Sequence, residues 1–115
     1  MIKANELRAG NLLYSNLTER FFICSSEDIY NLSMDYNANN ANYVKMTEEW
    51  LLKAGYKKQN GYGYSNYNIY GLILKNDTGF EFHYYGIIIR IDFVHQLQNL
   101  FFSFYGEELV FSTEP

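Results

Sequence analysis

The side chains best suited to proton transfer or hydrogen bonding lie close together near the end of the chain, in the segment VHQLQNLFFSFYGEELV at 94–110. To act as a general base, His95 would need an acid that orients one ring nitrogen and a nucleophile within hydrogen-bond reach of the other. A helix would bring Asn99 and Phe102 next to it, and neither supplies such a group. The sequence therefore predicts no catalytic residue, and a protein that is not an enzyme.

This segment is predicted to be a helix, because its apolar side chains recur at spacings of three and four between Phe93 and Tyr105. Asp92 is expected to cap its start, and Gly106 to end it in a left-handed conformation. A helical wheel places Leu97, Leu100, Phe101 and Phe104 on the buried side, Gln96, Asn99 and Ser103 opposite, and His95, Gln98, Phe102 and Tyr105 on the flanks. The polar side chains are thus expected to face chiefly outward. The Phe102–Tyr105 flank is either an exposed contact patch or covered by a sheet.

Length and composition favour one small α+β domain over residues 1–115. The hydrophobic share of 48% and the aromatic share of 19% argue against a disordered chain and predict an aromatic core. The net charge of -4 disfavours attraction to nucleic acid phosphates and to anionic membrane surfaces. No signal peptide is recognisable, and no window approaches the roughly 20 apolar residues of a membrane span, so a cytoplasmic protein is expected.

Few residues are available for metal or thiol chemistry. Cys24 is the single cysteine, which excludes a disulfide within the chain and a cysteine-based zinc site. Its apolar neighbours Phe22 and Ile23 indicate a buried thiol. With two histidines and one cysteine, the sequence contains no cluster of Asp, Glu and His at metal-ligand spacing. No metal site and no cofactor are therefore expected.

Residues 60–68 are rich in Gly, Asn, Ser and Tyr and must turn before the apolar stretch that follows. Their Gly-Tyr-Gly-Tyr core lacks the residues of a Walker loop and the three-glycine spacing of a dinucleotide-binding loop. Tyr62 and Tyr64 could offer flat faces that stack on a base, a sugar or a partner protein. The alternative is a twisted pair of strands without a binding role.

The first half of the chain is predicted from local signals. Two apolar runs, Leu12–Tyr14 and Phe21–Cys24, indicate a hairpin, and the alternating Asp28–Met34 indicates a third strand. The asparagine-rich stretch over 35–42 is expected to be a loop. A short helix over 48–54 is predicted by TEEWLLKAG, which has a capping threonine and a terminal glycine, and the two lysines that follow are expected at its solvated end.

Further strands are predicted in the second half. Ile69–Leu74 and Phe80–Tyr85 flank the turn sequence Asn-Asp-Thr-Gly and indicate a second hairpin. Ile87–Ile91 has isoleucines on both faces and is expected to be a central strand. Leu109–Phe111 is long enough for a closing edge strand. The predicted fold is an antiparallel sheet of about five or six strands with one short and one longer helix packed on it.

Three blocks, ANELRAGNLLY, TEEWLLKAGY and VHQLQNLFFSFYGEEL, carry a resemblance that spans most of the chain. Together they resemble a family of small uncharacterised proteins encoded by bacterial phages, prophages and related mobile elements. The last block is the most specific, since family members have approximately HxLQNLYFALTGEEL there. Phe101, Phe104 and Tyr105 depart from that pattern, which argues against a required hydroxyl at 101 or 105.

The resemblance implies a genomic setting and, by analogy, two functions. The first is a noncatalytic accessory protein that binds a host or phage protein or a second copy of itself. Its surface would be the Phe102–Tyr105 flank or the tyrosine-rich segment with Tyr62 and Tyr64. The second is a domain that binds or sequesters a small nucleotide-like ligand between aromatic residues, with His95, Gln98 and Arg90 as inward polar groups.

Overall fold

The computed structural model describes residues 2–34, 40–59, 63–66 and 69–111, with only the backbone at 69 and 70. After a 3-10 helix at Ala4–Glu6, the elements are β1 (Leu12–Ser15), β2 (Arg20–Ile23), α1 (Ser26–Ser33), β3 (Ala41–Tyr43), α2 (Glu48–Lys53), β4 (Lys57–Gln59), β5 (Gly63–Asn66), β6 (Ile69–Asn76), β7 (Gly79–Tyr84), β8 (Ile87–Ile91) and α3 (Val94–Tyr105). The strands form two antiparallel sheets, in the orders β2-β1-β3 and β4-β5-β6-β7-β8. The predicted α+β class is confirmed, although the strands divide between two sheets.

The three-stranded sheet contains the predicted β1–β2 hairpin, which is confirmed. The segment predicted as a third strand forms α1 instead, so that prediction is wrong. Ser25 Oγ accepts a hydrogen bond from the Asp28 amide at 3.1 Å, and Asp28 Oδ2 accepts one from the Ser25 amide at 2.8 Å. These reciprocal bonds satisfy free amides at a helix start and outweigh the weak alternation of the residues that follow.

The five-stranded sheet contains the predicted β6–β7 hairpin, which is confirmed. β8 follows β7 through a two-residue turn in which Tyr85 and Gly86 both have positive φ, 46° and 82°, as tight hairpins favour. The prediction of Ile87–Ile91 as a central strand is wrong, because β8 is the last strand of this sheet. That prediction assumed that isoleucines on both faces must be covered, whereas most of them are exposed.

The short helix α2 is confirmed, and Thr47 Oγ1 accepts a hydrogen bond from the Trp50 amide at its start. Gly55, with φ of 93°, follows its C-terminal end. The two lysines expected at the helix end lie in β4 instead, because the chain has already turned at this glycine and extends again. The predicted loop over 35–42 lies largely outside the described residues. The loop prediction is wrong for its last two residues, because Ala41 and Asn42 pair with β1 as part of β3.

Residues Leu109–Phe111 do not form the predicted edge strand, so that prediction is wrong. Its place is fixed by side-chain packing, not by a backbone ladder. Leu109 is buried, and the Phe111 ring meets the Trp50 ring edge-on with centroids 5.5 Å apart.

The long helix α3 is confirmed and ends at Gly106, which has the predicted left-handed conformation. The predicted cap is wrong, because the Asp92 carboxylate binds Arg90. Gln96 Oε1 instead accepts hydrogen bonds from the Asp92 and Phe93 amides, at 2.7 and 2.9 Å. A glutamine reaching back from the first turn satisfies the same free amides that an aspartate would.

The burial of α3 departs from the helical wheel at three positions. His95 and Gln98, expected on the flanks of an outward polar face, are buried, and Phe104, expected in the core, is 44% exposed. Leu97 is buried as predicted. The wheel assumed a single buried stripe, but the N-terminal half of α3 is covered from two directions, by the five-stranded sheet and by the segment that precedes β1.

None of the described helices has the length and apolar content needed to cross a membrane.

Candidate functional site

The buried amides of α3 fasten the segment before β1 to the helix. Gln98 Oε1 accepts a hydrogen bond from the Leu12 amide at 2.7 Å, and Gln98 Nε2 donates one to the Gly10 carbonyl at 3.1 Å. Asn11, also buried, donates from Nδ2 to Asn99 Oδ1 at 2.7 Å. These amides satisfy backbone groups that would otherwise be buried without partners.

Arg8 links this network to the residues after α3. Its guanidinium pairs with both carboxylate oxygens of Glu108, donates from Nε to Asn99 Oδ1 at 3.2 Å, and lies 4.1 Å from the centre of the Phe102 ring. Gly10 is favoured here by its φ of 102°, which other residues rarely adopt, and a Cβ would also lie 2.8 Å from the movable Glu108 carboxylate. We call Arg8, Asn11, Gln98, Asn99 and Glu108 the polar clamp. Their amide and guanidinium groups bind one another and the backbone, as in a structural network.

His95 is buried and stacks against two aromatic rings that also contact each other. Its ring centroid lies 4.5 Å from that of Tyr43 and 5.9 Å from that of Phe93. Burial lowers the pKa of His95, and the nearby Glu6 carboxylate partly opposes this shift. Among the described residues, none forms a hydrogen bond with His95 Nδ1. The orienting acid that a general base needs is therefore not supplied by the described part of the chain.

The Tyr43 hydroxyl beside His95 belongs to a hydrogen-bonded chain on the protein surface. It donates to Glu6 Oε1 at 2.6 Å and accepts from the Lys3 amide at 2.9 Å. Burial raises the pKa of Tyr43, and its bond to Glu6 raises it further. These hydrogen bonds connect β3 to the 3-10 helix and the residue before it.

The thiol of Cys24 is buried, as the sequence predicts, and donates a hydrogen bond to the Arg8 carbonyl at 3.3 Å. Burial raises the pKa of Cys24, which lowers the fraction of reactive thiolate. Among the described residues, no three His, Cys, Asp or Glu side chains are grouped closely enough to hold a metal ion.

Among the other predicted site residues, those that the structure describes do not form one surface. Tyr64 is buried in the core, and Tyr62 lies outside the described residues. Tyr105 is half-buried against Phe101, with ring centroids 4.8 Å apart. Phe102 is partly exposed beneath Arg8.

The three polar residues predicted for a ligand pocket do not line one cavity. His95 lines a shallow cavity of about 290 Å³, and Gln98 lines a different one of about 570 Å³. Arg90 lies on β8, where it binds Asp92 at 2.7 Å and both the hydroxyl and the carbonyl of Thr78. The inward polar set that would mark a small-ligand site is therefore not assembled.

Strand β8 has three consecutive exposed apolar side chains. Ile87, Ile88 and Ile89 are 54%, 60% and 38% exposed. Tyr85, in the preceding turn, is 90% exposed. We call these four residues, together with Phe104 of α3, the isoleucine edge.

Phe104 belongs to this surface because it covers the strand next to β8. Its ring centroid lies 5.9 Å from that of Phe82 and 5.7 Å from that of Tyr84. Phe82 and Tyr84 stand directly opposite Ile89 and Ile87 in the β7–β8 pair, and directly opposed residues share a sheet face. Ile87, Ile89 and Phe104 therefore lie on the same face, and Ile88 lies on the other.

Within the described part of the chain, no strand pairs with the outer side of the β8 backbone. Its pairing in the described part of the chain is with β7, and the next outer hydrogen bond, from the Met46 amide to the Asp92 carbonyl at 2.9 Å, begins beyond the strand. The cavity that His95 lines runs beside this edge, between Ile89 and the polar residues of α3. The isoleucine edge thus combines unpaired strand backbone, exposed apolar side chains and an adjoining groove.

The sequence contains a signal for this edge that the prediction did not use. β6, β7 and β8 are joined by short hairpin turns, and the next element, α3, is a helix. In such a meander the last strand has no following strand to cover it.

No family model, curated protein or solved structure matches this chain.

Proposed function

We propose that this chain is a noncatalytic binding protein that pairs with another polypeptide through the isoleucine edge. The observation that supports the proposal is an edge strand with three consecutive isoleucines that are 38% to 60% exposed. Soluble proteins usually shorten, charge or cover such edges, because unpaired backbone beside apolar side chains associates with other strands. An apolar edge that is kept open is therefore expected to have a partner.

The proposed mode of binding is strand addition. The outward amides and carbonyls of β8 bind the backbone of an extended segment, and the isoleucines bind its side chains. Strand addition places alternate side chains of the partner on the face shared by Ile87, Ile89 and Phe104. The groove of about 290 Å³ next to Ile89 has room for one of them.

The resemblance to proteins of phages and mobile elements supports the same class of function. An accessory protein in the cytoplasm of a bacterial host would meet host and phage polypeptides as partners. The small-ligand alternative has less support, because His95 and Gln98 line different cavities and Gln98 and Arg90 bind groups of the protein itself.

The test is the size of the chain in a native lysate of the cells that express it. We expect the wild-type chain to elute in a complex well above its own mass of 13.6 kDa, and Ile88→Lys to elute near that mass. The matched control is Ile23→Lys, since Ile23 is 58% exposed on β2, an edge strand of the other sheet. This control should elute with the wild type. Elution of Ile88→Lys with the wild type, or of the wild type at its own mass, would contradict the proposal.

A further inference from the structure

We infer that the segment added to the isoleucine edge is β8 of a second copy of this chain, which joins two five-stranded sheets into one continuous sheet. This inference rests on the proposed function and names the partner. It follows from the sequence of the strand itself, because β8 can pair with its own copy in antiparallel orientation with isoleucine opposite isoleucine.

The register follows from the residues at the strand ends. A two-fold axis at Ile88 pairs Ile88 with Ile88 of the copy, and Ile87 with Ile89 on both sides of it. Arg90 then stands opposite Gly86, which has no side chain to collide with it. Directly opposed side chains in antiparallel pairs supply most of the stabilisation of a sheet, and opposed like charges weaken it.

A two-fold axis one residue later is disfavoured. With the axis at Ile89, each Ile88 would oppose Arg90, and Gly86 would oppose Asp92. The Asp92 carbonyl already accepts a hydrogen bond from the Met46 amide, so residues 44–46 cover the backbone at that end. An axis at Arg90 would bring two guanidinium groups face to face.

Aromatic residues beside the strand add to the contact area that a stable dimer needs. Stable interfaces cover about 800 Å² on each partner, which a strand of five residues does not reach alone. Tyr85 and Phe104 continue the apolar surface at the turn and along α3. With the axis at Ile88, the turn that contains Tyr85 lies beside Ile91 of the copy, which brings the Tyr85 ring to the interface.

The first test is the solution mass of the purified chain, measured by light scattering from micromolar to millimolar concentration. The wild type and Ile23→Lys should approach twice 13.6 kDa. Ile88→Lys, which would oppose two ammonium groups on the axis, should remain at one chain mass, with a dissociation constant raised at least about tenfold. A wild type that remains at one chain mass, or an Ile88→Lys dimer as stable as the wild type, would overturn the inference.

Cysteine cross-linking tests the register and does not depend on the lysine variant. Opposed residues of an antiparallel pair have Cα atoms about 4.5 to 5.5 Å apart, within the range that a disulfide spans. Ile88→Cys should therefore cross-link rapidly under mild oxidation, whereas Ile87→Cys, offset from its own copy, should cross-link at least about tenfold more slowly. Cys24 is buried and common to both variants. Equal rates would overturn the inference.

The lysate experiment separates this inference from the proposed function. If the purified chain is monomeric while the lysate complex still requires Ile88, the partner is a different polypeptide. The inference then fails and the proposed function stands. If neither experiment shows a complex, both fail.

Discussion

The polar clamp and the isoleucine edge both depart from the usual rule that polar side chains are exposed and apolar side chains are buried. In the clamp, Asn11 and Gln98 are buried. The Asn11 amide binds the Asn99 side chain, and the Gln98 amide binds the backbone of Leu12. At the edge, isoleucines and a phenylalanine are left exposed. Buried amides with complete hydrogen bonding fix one arrangement of the chain, and exposed apolar side chains beside open backbone favour association. Polarity alone therefore does not locate the binding surface.

The largest expected effect contrasts two apolar residues of α3. Leu97→Ala should lower the free energy of unfolding by about 2 to 5 kcal/mol, because Leu97 is buried and the surrounding core cannot fully collapse around the gap. Phe104→Ala should cost clearly less, since nearly half of that ring is already in water. Urea denaturation measures both. Equal losses would show that Phe104 belongs to the core and not to the isoleucine edge.

The second effect tests the polar clamp. Gln98→Ala should lower the free energy of unfolding by about 2 kcal/mol or more, because the Leu12 amide and the Gly10 carbonyl lose their partner in a buried site. The matched control is Gln59→Ala, which removes an exposed bond to Ser65 and should cost less than about 0.5 kcal/mol. If both variants had the same stability, Gln98 would not fasten the chain.

The third effect is a pH dependence that arises from His95. Burial lowers its pKa below the ordinary 6.5, so the unfolded chain binds a proton at higher pH than the folded chain. The free energy of unfolding should therefore fall as the pH drops below 6.5, with no contribution from His95 above that value. His95→Phe keeps an aromatic ring against Tyr43 but cannot titrate. Its stability should change less between about pH 7 and pH 5, and an unchanged slope would contradict the assignment.

A smaller effect is expected where the clamp reaches the surface. Arg8→Lys keeps the positive charge but loses the bidentate pairing with Glu108, the hydrogen bond to Asn99 and the stacking on Phe102. We expect a loss of about 1 kcal/mol in the free energy of unfolding, because the pair is partly exposed and screened by solvent. Full retention of stability would show that charge alone suffices there.

The smallest effect on stability is expected at the edge itself. Ile88→Lys should change the free energy of unfolding of the monomer by less than about 0.5 kcal/mol, since its side chain is exposed and outside the core. Thermal unfolding at low concentration measures this. A large loss would mean that Ile88 stabilises the fold and would remove the contrast with the polar clamp.

The sequence predicted the elements that depend on neighbouring residues. The cap at Thr47, the end of α3 at Gly106 and both hairpin turns act within a few positions. The capping box at Ser25 and Asp28 is equally local and could have identified α1. The strand prediction for this segment rested on the alternation of apolar residues, and the helix cap outweighs that alternation.

The features that the sequence did not predict depend on residues far apart in the chain. The partners of Gln98 are Gly10 and Leu12, and no local pattern places them beside α3. The position of β8 depends on the order of the strands in the sheet. A helical wheel or a strand pattern assigns faces to an element, but what covers each face is decided by the tertiary arrangement.

The most direct test of the isoleucine edge is backbone hydrogen exchange in the complex isolated from expressing cells, compared with the Ile88→Lys monomer. Strand addition predicts that amides of residues 86–90 exchange much more slowly in the complex, while those of β2 exchange alike in both samples. Equal exchange at residues 86–90 in the complex and the monomer would contradict the account.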